Sequence, residues 1–154
     1  MLGSPTIDRL EAKEPSLDLR RGIRRDVART LVERAALLPE PDRYLVEGVF
    51  RDGRPISDLA AMWREIPGHE RVPRSLRRRL HRLVERLLSP RFEVVARIHH
   101  TWTPTRRRIA TACVLHGLST RQAAERLGVS LHTVRRQLDA VHAICDAVSG
   151  SARR

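Results

Sequence analysis

The sequence predicts an all-α fold, with an N-terminal helix followed by two similar three-helix units, and three observations carry that prediction. Aromatic residues make up only 3% of the 154-residue chain, so any core must be built from Leu, Val, Ile and Ala. That composition favours helices over sheets, which draw on aromatic and β-branched side chains. Apolar positions recur at three-to-four spacing through most of the chain, the period of a helix with one buried face. Two stretches also resemble each other once offset, the mark of an internal repeat.

The first helix is expected over residues 17–38. Leu19, Ile23, Val27, Leu31, Ala35 and Leu38 form its apolar face, Ser16 offers an N-cap and Pro39 ends it. Residues 1–15 carry Gly3, Pro5 and Pro15 without a period and read as a tail. The repeat appears next. Setting Arg43–Trp63 over Arg107–Leu127, a shift of 64 positions, places Gly53 on Gly117, Leu59 on Ala123, Ala60 on Ala124 and Trp63 on Leu127. Further on the shift becomes 58, and Ser75–Leu80 lies over Thr133–Leu138, so the first copy has gained six residues within REIPGHERVP.

In the first copy, residues 39–91, a helix is expected to turn Tyr44, Leu45, Val49 and Phe50 inward before breaking at Gly53. A second helix from about Pro55 buries Ile56, Leu59, Ala60 and Trp63. A third, from Pro73, buries Leu76, Leu80, Leu83, Val84 and Leu87. Residues 92–103, with His99, His100 and Trp102, read as a linker. In the second copy, residues 104–148, Thr103 and Pro104 open a helix through Ile109, Cys113 and Val114 to about Leu115. Gly117 ends it. Ser119 caps a helix whose Ala123, Ala124 and Leu127 face inward, the small side chains permitting a close, steep crossing. Gly128 and Val129 make a tight corner. Ser130 then caps a last helix with a buried stripe of Val134, Leu138, Val141 and Ile144. This is a helix-turn-helix pattern, so the expected architecture is tandem trihelical helix-turn-helix units preceded by an N-terminal helix.

Charge points to the partner. The net charge is +12, and it is uneven: residues 1–50 hold nine basic and nine acidic residues, residues 51–100 twelve and six, residues 101–154 nine and three. Basic surfaces of this kind mostly meet nucleic acid. Between Arg71 and Arg91 the only acid is Glu85, which makes Arg74, Arg77, Arg78 and Arg82 candidate phosphate contacts. In the second copy His132, Thr133, Arg135 and Arg136 fall outside the buried stripe at a helix N-terminus, where the dipole and free amides favour phosphate and Arg reaches guanine edges. Ser130 and Arg121 join them as candidate DNA contacts.

The string GLSTRQAAERLGVSLHTVRRQL resembles the region-four DNA-binding domain of bacterial sigma factors and the related LuxR-type output domains. Their pattern is met at Gly117, Ser119, Gln122, Ala124, Leu127, Gly128, Val129, Ser130, Thr133 and Val134. The resemblance covers residues 104–148 and implies double-stranded DNA as the partner, with RNA polymerase as a second. The first copy lacks the Leu-Gly-Val-Ser corner, so a DNA-reading role does not carry over to it. The chain also lacks the aromatic cluster of the promoter-melting domain, since Tyr44, Phe50, Trp63, Phe92 and Trp102 are scattered.

No phosphate-cradling Gly loop or nucleophile–base pair is found, so no enzymatic activity and no cofactor are expected. Cys113-x-x-His116 and His142-x-x-Cys145 offer zinc-type ligands, but on separate helices they read as packing residues. No apolar run reaches membrane-spanning length, and the N-terminus lacks the features of a signal peptide. The expected setting is the cytoplasm, at the nucleoid. The sequence thus reads as a sequence-specific DNA-binding regulator, with an adaptor docking on RNA polymerase or an anti-sigma-type partner, or an RNA-binding protein, as alternatives.

Overall fold

The computed structural model describes residues 25–69 and 75–153, and every described element is helical. The chain divides into two compact units, Met1–Val84 and Glu85–Arg154. The first contains α1 (Arg25–Ala35), α2 (Glu40–Phe50) and α3 (Ile56–Glu65), and the division falls within α4 (Leu76–Leu87). The second contains α5 (Pro90–Ile98), a 3-10 turn (His99–Thr101), α6 (Pro104–Ala110), which continues as a π turn (Thr111–Leu115), α7 (Thr120–Leu127) and α8 (Leu131–Ser151).

In the first unit Leu31, Ala35 and Leu38 are buried, and α1 packs on α2. The start expected for this helix, residues 17–24 with the Ser16 cap, lies outside the described residues, as does the Pro73 start of α4. Helix α2 buries Leu45, Val46, Val49 and Phe50 together with two acids. Asp42 receives the Arg79 Nε–H at 2.6 Å, and Glu47 receives the Arg43 Nε–H at 2.9 Å. The Arg79 guanidinium also stands 5.2 Å from the Trp63 ring centroid. A buried carboxylate is tolerable only with such a partner. Tyr44, expected inward, is 45% exposed, because the buried face of α2 runs through Leu45 and Val49 instead.

The two copies share a helix–turn–helix start down to single hydrogen bonds. In the first, the Asp52 N–H donates to the Glu47 carbonyl and the Arg54 N–H to the Gly48 carbonyl. In the second, the His116 N–H donates to Thr111 and the Leu118 N–H to Ala112, each 64 positions on. Gly53 and Gly117 occupy the left-handed region at φ of 64° and 73°, where a side chain is strained. The following helices start at Ile56 and Thr120, again 64 apart.

Residues 92–103, read as a linker, are mostly ordered into the second unit's core. Ser89 accepts a hydrogen bond from the Phe92 N–H, Pro90 opens α5, and Phe92, Val94 and Val95 are buried. The Ser-Pro pair was the missed start signal, an N-cap followed by the residue best suited to a first helical turn. Thr103 occupies the N-cap position of α6, but its side chain makes no capping hydrogen bond. Helix α8 packs on α5, α6 and α7. Ile109, Ala112, Ala123 and Val134 form a buried cluster, with Cys113, Leu118, Ala124, Leu127 and Val129 packed against it. Ala123 is fully buried and Ala124 only partly, so Ala123 is the residue at the tight crossing. Along α8 the buried stripe is Val134, Val141 and Cys145, while Leu138 and Ile144 are half-buried.

Candidate nucleic-acid interface

The corner between α7 and α8 follows from its sequence. Ser119 Oγ accepts from the Gln122 N–H at 3.1 Å, and Gln122 Oε1 accepts from the Ser119 N–H at 2.9 Å, a complete capping box. Gly128 ends α7 in the left-handed conformation at φ 65°. The Val129 N–H closes the turn on the Ala124 carbonyl at 3.2 Å, and its side chain packs on the buried cluster. Ser130 Oγ accepts from the Thr133 N–H at 3.1 Å and shares a hydrogen with Thr133 Oγ1 at 2.8 Å.

The start of α8 is thereby held at both ends of its first turn: Val134 faces the core at 0% exposure, while His132, Arg135 and Arg136 are exposed. Thr133 is half-buried, and the hydroxyls of Ser130 and Thr133 are engaged in the cap. Arg121 is exposed in the first turn of α7, the helix that packs beside α8. Arg106 Nε donates to Gln137 Oε1 at 3.0 Å and ties α6 to the second turn of α8. This positioning pair went unnoticed in the sequence, since residues 31 apart show no periodic relation.

The arginines of the first copy meet different fates. Arg78 and Arg82 are exposed on α4, and Arg77 is half-exposed with its own interaction. Arg74 lies outside the described residues. Arg79 is committed to Asp42 and Trp63. Arg86 sets its guanidinium against Gly117 with Nε and Nη2 out of solvent.

Among the described residues no group of three or more His, Cys, Asp or Glu is placed to hold a metal ion, so Cys113, His116, His142 and Cys145 do not form one site. Burial raises the thiol pKa of Cys113 and of Cys145, which keeps both in the unreactive protonated form. Among the described residues no helix is long and apolar enough to cross a membrane.

The second unit therefore presents a helix-turn-helix with a capped, basic helix start facing outward. Residues 92–139 match the family model for sigma-70, region 4, a DNA-binding and non-enzymatic domain associated with transcription. The match begins 12 residues before Pro104 and takes in α5 from Phe92 onward, in keeping with that helix's place in the core. Comparisons with curated proteins and with solved structures returned no match.

Proposed function

We propose that the protein is a sequence-specific, non-enzymatic transcription regulator that binds double-stranded DNA through α7 and α8. The observation that carries this is the exposed triplet His132, Arg135 and Arg136 on a helix start whose inner side is anchored by Val134. An α-helix fits the major groove, and arginine there bonds guanine bidentately, a contact that discriminates between bases. Thr133 and Ser130 hold the first turn in register, and Arg121 on α7 contacts the flanking phosphate, as the first helix of such a motif crosses the backbone. On α4, Arg77, Arg78 and Arg82, with Arg74, add phosphate attraction that is blind to sequence. RNA polymerase is the protein partner that the region-four likeness implies, and the setting is the cytoplasm at the nucleoid.

Selection of bound duplexes from a random pool, at stated salt, tests this. An enriched motif is expected. Arg135→Ala and Arg136→Ala should each cost about 1–3 kcal/mol on that motif and relax one base position. Arg78→Ala with Arg82→Ala should weaken binding to all duplexes alike and flatten its salt dependence. A pool without enrichment, or Arg135→Ala/Arg136→Ala with unchanged affinity, would refute the proposal.

A further inference from the structure

Both copies carry an open groove between matched helices, and its chemistry is opposite in the two. In the first unit a groove of about 270 Å3 is lined by Tyr44, Met62 and Trp63, with Glu40 and Glu65 also in its wall. In the second, a cleft of about 470 Å3 has Arg108, Arg126 and Leu127 at the positions of Tyr44, Met62 and Trp63. Arg107, His99, His116 and Thr111 complete its polar lining, and among the described residues no carboxylate lines it. Its floor is apolar, with Ala112 beside Leu127. His99 Nδ1 is held by the Val95 carbonyl at 2.7 Å, which leaves Nε2 as the ring's other polar atom.

The first unit shows that this groove folds with Tyr and Met in its walls, so packing does not require arginine there. Three guanidiniums around one concavity repel one another unless an anion joins them. A carboxylate answers one guanidinium, whereas a chain of phosphates offers several bidentate partners at once. The volume lies within the range of small-molecule sites, and an apolar floor suits a ring system. A duplex backbone would meet the arginine tips and leave that floor bare.

We propose that this cleft between α6 and α7 is a binding site for a phosphorylated small molecule of nucleotide size, with Arg107, Arg108 and Arg126 on the phosphates and the base over Ala112 and Leu127. It is separate from the outward residues of α8, so the site does not rest on the DNA-binding proposal.

Calorimetric titration of the full chain with ATP, and separately with inorganic tripolyphosphate, at about 150 mM salt tests it. One equivalent of ATP should bind, at least about tenfold tighter than tripolyphosphate because the floor adds to the charge. Arg108→Tyr with Arg126→Met imports the side chains of the first unit's groove. That variant should keep the parent's melting temperature and lose ATP binding by about tenfold or more, while Arg108→Lys with Arg126→Lys should retain part of it. Arg135→Ala with Arg136→Ala should leave ATP binding intact. The proposal is overturned by any of four results: no heat of binding, equal affinity for tripolyphosphate, ATP binding indifferent to Arg108→Tyr/Arg126→Met, or loss of duplex rather than nucleotide binding in that variant.

Discussion

Ala123→Leu puts the helix crossing of the second unit to the test, and the first unit supplies its control. Ala123 is fully enclosed with Ile109, Ala112 and Val134, so three added carbons have no free space to enter. Overpacking of a closed core costs about 1–3 kcal/mol. For a unit of this size that lowers the melting temperature by roughly 4–8 °C per kcal/mol. At the matching position the first unit does hold a leucine, Leu59, and faces it with Gly48. A Cβ on Gly48 would collide with Leu59 Cδ2, so that leucine fits only because its partner has no side chain. Copying the arrangement, Ala112→Gly alone should cost about 0.5–1 kcal/mol for a helical glycine, plus the small hole it leaves. The pair Ala112→Gly/Ala123→Leu should then be more stable than the two separate losses add up to, with a coupling of about 1 kcal/mol. Urea denaturation followed by far-ultraviolet circular dichroism measures all four corners of this cycle. Full additivity, or an unchanged midpoint for Ala123→Leu, would refute the crossing geometry.

Three further outcomes are expected. Ser130→Ala removes the acceptor for the Thr133 N–H and should cost about 1 kcal/mol, read by thermal denaturation, with duplex affinity falling because the start of α8 frays. Arg79→Ala strands the buried Asp42 carboxylate and strips a cation from Trp63. The exposure of Arg79 moderates the effect to about 2 kcal/mol, and a parallel change in the fluorescence of Trp63 should report it. Burial, with Arg91 adding to it, lowers the His142 pKa below 6.5, against the opposing pull of Asp139 and Asp146. The unfolded chain then binds that proton more readily, so the stability tied to the neutral ring is full above pH 6.5 and is lost as pH falls through the folded value. His142→Gln should flatten this acid dependence in melting curves taken from about pH 7 to 5.

How much of this protein was legible in its residues depends on the range over which each feature is decided. Caps, corners and helix faces are set by neighbours within a few positions. Ser119 with Gln122, Gly128 with Val129, and Ser130 with Thr133 therefore announced the helix-turn-helix, and with it the exposed places of His132, Arg135 and Arg136. The matching turns were legible for the same reason, since Gly53 and Gly117 answer one local demand for a left-handed residue. Where selection among equivalent side chains rests on distant contacts, the chain alone was silent. Nothing in the run Arg77–Arg78–Arg79 distinguishes the arginine that pairs with Asp42 from the two left outside that pair. Nor does Ala123–Ala124 say which alanine meets Ile109 and Val134. The helix at Pro90–Ile98 was hidden by polar neighbours although Phe92 and Val95 belong to the core. The gathering of Arg107, Arg108 and Arg126 around one cleft, with Tyr44 and Met62 in its counterpart, exists only once the helices have packed. Local sequence decides where a helix starts and which way it turns; burial decides which of two like residues becomes core, partner or site.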